Sequence, residues 1–156
     1  MGWQTGSKKI GYKADDEHYT PKWLFDAFGV EFDLDVAAPC GAVPWIPAKN
    51  SYCQHDNGLI QEWYGLVWMN PPYSKTTPWV EKFKAHGNGI ALMPITASNW
   101  CKDFMQTVPA LCIPNQRIYF EHLVKGRKLI MWQTGFYAMG DGIEILERAK
   151  IGRVFK

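Results

Sequence analysis

Val67-Trp68-Met69-Asn70-Pro71-Pro72-Tyr73 joins an apolar, strand-type run to a turn that cannot stay in a sheet. Pro71 and Pro72 lack backbone N–H donors and have a fixed φ, so the chain leaves the ladder stiffly after Asn70. The turn holds two acceptors, Asn70 Oδ1 and the carbonyl of Pro71, beside the flat ring of Tyr73. Two acceptors next to an aromatic face suit an exocyclic amino group on a planar ring, such as adenine N6. That nitrogen is a poor nucleophile, because its lone pair is delocalised into the ring. Acceptors aimed at both hydrogens favour the pyramidal, electron-rich form that can attack an electrophilic methyl group. The gain is positioning and electrostatic preorganisation, with no covalent intermediate. Without a ligand, the same residues read as a surface turn with Asn70 as a cap and Tyr73 packed.

Outward from this turn, strand and helix patterns alternate. Residues 31–36, 66–69, 90–94, 110–113, 117–121 and 153–155 read as strands, and 129–139 as a longer one interrupted at Gly135. A helix is expected with Thr20 as N-cap, Pro21 at its first position and Trp23, Leu24, Ala27 and Phe28 on its apolar face, until Gly29 stops it. A second is opened by Thr77-Pro78-Trp79, runs to about residue 86, and is broken by Gly87-Asn88-Gly89. Helices are also expected over 99–107 and 143–149, and a short helical turn at 60–64. Residues 37–54, rich in Pro, Ala and Gly, read as loop. The alternation predicts an α/β fold with a mixed sheet and helices on its faces; the late strands could instead form an antiparallel hairpin. Ligands in such sheets sit at the carboxyl ends of strands near a switch in strand order. That puts Asp35-Val36-Ala37-Ala38 and Asn70 at neighbouring strand ends.

Four blocks carry a resemblance: His18-Tyr19-Thr20-Pro21-Lys22-Trp23-Leu24; Phe32-Asp33-Leu34-Asp35-Val36-Ala37-Ala38-Pro39; Asp56-Asn57-Gly58-Leu59 with Trp63; and Asn70-Pro71-Pro72-Tyr73. In this order and spacing, over residues 16–120, they resemble the compact phage-type Dam DNA N6-adenine methyltransferases. The resemblance implies a single-domain, Rossmann-like methyltransferase over residues 16–156. It also implies S-adenosylmethionine as methyl donor and double-stranded DNA as partner, with the target adenine flipped into the N-P-P-Y pocket. Catalytic roles would fall to Asn70, Pro71, Pro72 and Tyr73. Cofactor contacts would come from Thr20, Pro21, Asp35, Ala37, Ala38, Asp56 and Asn70. Among these, Asp35 would hold the amino acid end, Thr20 and Pro21 the methionine carboxylate, and Asp56 the cofactor's adenine amino group.

Two departures accompany the resemblance. Ala37, Ala38 and Pro39 stand where glycines are usual, although a cofactor without a pyrophosphate asks less of the backbone there. No Asp or Glu occurs between Asp35 and Asp56 to accept from a ribose hydroxyl, which leaves Asn50 and Gln54 as candidates. The alternatives are the same chemistry on an RNA adenine or a protein glutamine amide, and a DNA-binding protein that has lost catalysis.

The chain has 156 residues, 47% of them hydrophobic, which suits one domain with a sizeable core. Residues 1–15, polar and rich in Gly and Lys, read as a loose arm. No apolar run reaches the roughly 18 residues of a bilayer span and no charged-plus-apolar leader is seen, so the cytoplasm is expected, that of the host for a phage-encoded chain. Cys40, Cys53, Cys101 and Cys112 show no C-x-x-C spacing, and His18, His55, His86 and His122 are scattered. Free thiols and no metal site are expected.

A net charge of +2 does not define a partner. Basic clusters at Lys8, Lys9 and Lys13, at Lys125, Arg127 and Lys128, and at Lys150, Arg153 and Lys156 suit phosphate contacts. The chain has no room for a separate recognition domain, so DNA contacts are expected from Ser74, Lys75, Arg117, Lys125 and Arg127, with loop 95–101 beside them. Eight Trp, eight Phe and seven Tyr are a heavy aromatic load, most of it expected in the core, with a few rings available to form stacking walls around an extruded base. Oligomeric state is left open, dimerisation on a palindrome included.

Overall fold

The computed structural model describes residues 19–41, 43, 45–122, 126–129 and 133–156. The expected N-terminal arm, His18 and Lys125 lie outside these residues, and only the backbone of Arg127 and Lys128 is described. The described elements run α1 (Lys22–Phe28), β1 (Phe32–Asp35), β2 (Ala48–Ser51), β3 (Val67–Met69), α2 (Thr77–His86), β4 (Gly89–Pro94), α3 (Asn99–Thr107), β5 (Ala110–Pro114), β6 (Tyr119–His122), β7 (Gly126–Leu129), β8 (Thr134–Met139), α4 (Gly142–Ala149) and β9 (Gly152–Phe155).

Seven strands form one sheet in the order β2-β1-β3-β4-β8-β5-β9, while β6 and β7 form a separate antiparallel pair. Strands β1 to β4 are parallel neighbours. Strand β8 runs antiparallel between β4 and β5, and β9 runs antiparallel along β5. The sheet is mixed, as expected, and the late segments supply both of the weighed alternatives: β8 and β9 join the sheet while β6 and β7 make the hairpin.

Alternating side chains send the core to both faces. Trp68, Ile90, Leu92, Phe136 and Ala138 meet Leu24, Phe25 and Phe28 of α1 and Ile145 and Leu146 of α4. Val67, Met69, Ala91, Met93 and Tyr137 meet Trp79, Val80 and Phe83 of α2 and Phe104 of α3. Trp68 anchors the first layer, with its ring 5.0 Å from that of Phe25 and 5.6 Å from that of Phe32. In the second layer, Phe104 stacks on Tyr137 at 4.3 Å. Every residue of β4 is buried, as a central strand between two helix layers requires.

Several expectations are corrected. Thr20 is not the N-cap of α1: Pro21 takes that position, without a side-chain capping bond. Trp23 stays 38% exposed, and Phe25 fills the core in its place. Strand β2 lies inside the stretch read as loop. Its residues Ala48-Lys49-Asn50-Ser51 are mostly exposed because it is a sheet edge, so it carries no apolar alternation. Residues 60–64 are loop rather than helix, tied down by Trp63 Nε1 donating to Gly58 O at 2.8 Å and by Lys82 Nζ donating to the carbonyls of Leu59 and Gln61.

The long strand at 129–139 resolves into β7 and β8, with 130–132 outside the described residues. Gly135 does not interrupt β8; it sits opposite Met93, where a Cβ would stand 3.0 Å from the Ile95 side chain. Cys40 and Cys53 are not free thiols. Ala38 N–H donates to Tyr52 O at 2.8 Å, folding the segment back so that the Cα atoms lie 4.9 Å apart, and the two sulfurs are bonded. Cys101 and Cys112 are free and buried, as expected.

Candidate active site

The site is built where β1 and β3 end. The two strands are parallel neighbours with Asp35 level with Trp68, so Asn70 emerges just past the same sheet edge. Val36 N–H donates to Trp68 O at 3.1 Å, which locks the two exits together. A pocket opens there, lined by Tyr19, Thr20, Asp35, Ala37, Pro39, Ile46, Trp68 and Asn70. Four of the residues expected to touch a cofactor (Thr20, Asp35, Ala37 and Asn70) therefore share one cavity.

Asp35 is 2% exposed and accepts from Ala37 N–H at 3.2 Å. Burial pushes its carboxyl up to about 7, against the opposing pull of the Ala37 hydrogen bond. The group is thus poised to ionise when a cation approaches. Thr20 is equally buried, and its Oγ1 accepts from Asn70 Nδ2 at 3.1 Å. The Thr20 carbonyl accepts from the Trp45 indole at 2.8 Å. One residue earlier, Tyr19 exchanges two backbone hydrogen bonds with Glu121 of β6, at 2.9 and 2.8 Å.

Past Asn70, Pro71 and Pro72 are buried, and the carbonyl of Pro72, rather than that of Pro71, takes Lys75 N–H. Tyr73 is half-buried and donates its hydroxyl to Leu92 O at 2.9 Å. Burial holds that phenol far above its usual range, so it stays a donor and fixes the ring against β4. Lys75 and Arg117 are exposed and Ser74 is half-buried.

Pro21 and Ala38 are buried beside the pocket residues in sequence but do not line it. Asp56 stands apart. It is exposed, and its Oδ2 accepts from Cys53 N–H at 2.8 Å, pinning the loop that follows β2. That loop lies against the end of β1: a Cβ on Gly58 would be 2.1 Å from Val36 O, so only glycine fits. Of the two ribose candidates, Asn50 is exposed on β2 and Gln54 is 5% exposed. Among the described residues, Gln54 Oε1 is the buried side-chain polar atom without a hydrogen-bond partner.

Sequence reading missed Ile46 and Trp45, which come from the stretch taken as loop. It also missed Trp68 as a pocket wall, since its apolar context signals only core. No group of three or more His, Cys, Asp or Glu side chains among the described residues is placed to hold a metal. No helix among them is long and apolar enough to cross a membrane.

The mixed seven-stranded sheet with its four helices is compatible with a compact methyltransferase-like fold. Residues 7–135 match the model of the family described as DNA N-6-adenine-methyltransferase (Dam), and the chain belongs to that family. A protein named DNA N-6-adenine-methyltransferase from Haemophilus phage HP1 (strain HP1c1) is 38% identical over 66 residues, which cover 39% of this chain and 36% of the relative. The match thus spans about a third of that relative's length. No solved structure matches the chain.

Proposed function

We propose that this chain, as one methyltransferase domain over residues 16–156, methylates N6 of adenine in double-stranded DNA, using S-adenosylmethionine and a target base flipped out of the duplex. The observation that carries the reading is the convergence of Asp35, Thr20 and Asn70 in one pocket at two neighbouring strand ends. A DNA substrate puts the enzyme in the cytoplasm, that of the host for a phage-encoded chain.

The residues fit the methyl donor. Asp35 offers a buried carboxylate to the donor's ammonium, Ala37 leaves room for the methionine chain with Ala38 behind it, and Thr20, backed by Pro21, borders its carboxylate. Gln54 Oε1, buried and without a partner, is assigned to a ribose hydroxyl and Asp56 to the adenine end; both lie on the loop after β2 and neither lines the pocket of Asp35. When bound, S-adenosylmethionine supplies a methyl group made electrophilic by a positively charged sulfur. Asn70 Oδ1 and Pro71 O accept from the two amino hydrogens of the target base and draw its lone pair out of the ring. Tyr73, held by Leu92, presents a flat face to that base, and Pro72 stiffens the turn. Ser74, Lys75, Arg117, Lys125 and Arg127 contact the DNA backbone and offset the few kcal/mol that flipping costs.

The test uses unmethylated duplex DNA and a labelled methyl donor. The wild-type chain transfers label to adenine, and Asn70→Ala loses transfer by at least about a hundredfold while retaining cofactor binding. Normal turnover by Asn70→Ala would refute the mechanism. Label on RNA or on protein glutamine instead of DNA would redirect the substrate, and wild-type chain giving no saturable heat with S-adenosylmethionine would point to a DNA-binding protein without catalysis.

A further inference from the structure

We propose that Thr20 is a positioning residue whose hydroxyl holds the Asn70 side-chain amide with its oxygen, rather than its nitrogen, turned towards the target amino group. The inference rests on the proposed transfer to an amino nitrogen. A primary amide carries an acceptor and a donor pair of nearly equal shape, and half a turn about its last torsion exchanges them. The target amino group offers hydrogens. Asn70 turned the wrong way would set donor against donor in a partly buried site, and the nucleophile would lose one of its two acceptors. Asn70 Nδ2 instead donates to Thr20 Oγ1 at 3.1 Å, so the amide oxygen is directed away from Thr20.

Thr20 is placed to act as a fixed post. Its side chain is 2% exposed and is not spent on capping, since α1 begins after Pro21 with no side-chain cap bond. Its backbone is held on both sides, by the Trp45 indole on its own carbonyl and by the paired hydrogen bonds between Tyr19 and Glu121. The partner it orients lies fifty positions along the chain and borders the same pocket. A contact to the cofactor carboxylate, implied by family resemblance, would use the hydroxyl proton; the lone pair facing Asn70 serves the second task.

Thr20→Val keeps the side-chain shape and removes the oxygen, while Thr20→Ser keeps the oxygen. Steady-state kinetics on duplex DNA should show kcat of Thr20→Val lowered about tenfold to a hundredfold, a larger factor than any loss of affinity for S-adenosylmethionine or DNA measured by calorimetry. Thr20→Ser should recover most of the rate. In the cofactor-free protein, the Asn70 side-chain amide resonances should move in Thr20→Val and stay near their wild-type positions in Thr20→Ser. Wild-type kcat in Thr20→Val, a loss confined to cofactor affinity, or unmoved Asn70 resonances would overturn the inference. If the wild-type chain methylates no DNA, the proposed function fails instead, and the resonances still decide whether Thr20 orients Asn70.

Discussion

At the scale of single residues, the site places a carboxylate where burial disfavours its charge. Burial pushes the Asp35 carboxyl up from 3.8 to about 7 in the folded chain. The folded state therefore holds that proton more tightly, and the stabilisation is complete below pH 3.8 and lost as pH rises through 7. Asp35→Asn removes the titration. Thermal melts without cofactor should show the substituted protein gaining stability over wild type from pH 5 to pH 8, while calorimetry shows weaker binding of S-adenosylmethionine. A stability difference independent of pH would exclude Asp35 as the responsible group. The convergence of Asp35 and Asn70 was legible in the sequence, because the two motifs fall at the ends of strands expected to be neighbours. The Thr20 contact was not. Thr before Pro satisfies a capping rule equally well, and only tertiary packing decides whether its hydroxyl turns to its own helix or to Asn70.

At the scale of elements, the β6–β7 hairpin stands off the main sheet yet pairs through Glu121 with Tyr19, a wall of the pocket. Residue 117 lies two positions before β6, and residue 127 lies within β7 opposite Glu121. Arg117→Ala and Arg127→Ala should each weaken duplex binding about equally for all sequences and lower the slope of log affinity against log salt by about one. Fluorescence titrations at several salt concentrations measure both quantities, and an unchanged slope would remove the residue from the DNA surface. Elements with strong periodicity were readable: α3 falls on 99–107 as expected, and β4 extends the expected 90–94 by one residue. Strand β2 was unreadable because an edge strand with one apolar residue leaves no pattern. The 60–64 loop was misread because its order comes from Lys82 and Trp63 reaching into backbone carbonyls, contacts that local sequence does not encode.

At the scale of the whole molecule, the Cys40–Cys53 bond closes the segment that carries Ile46 of the pocket and the edge strand β2, and it begins one residue after Pro39. Replacing both cysteines by serine should lower the unfolding free energy by about 2–3 kcal/mol, read as a shift in denaturant midpoint at constant slope. An unchanged midpoint would mean that the segment holds its place without the bond. The strand order has a different consequence, which concerns time. Strand β8 lies between β4 and β5 but is made after both. On a ribosome, a chain synthesised as far as β7 would carry two apolar strand edges with an empty slot between them. Strand β8 must enter that slot before either edge is protected, so the chain commits to its fold late and is open to mispairing until then.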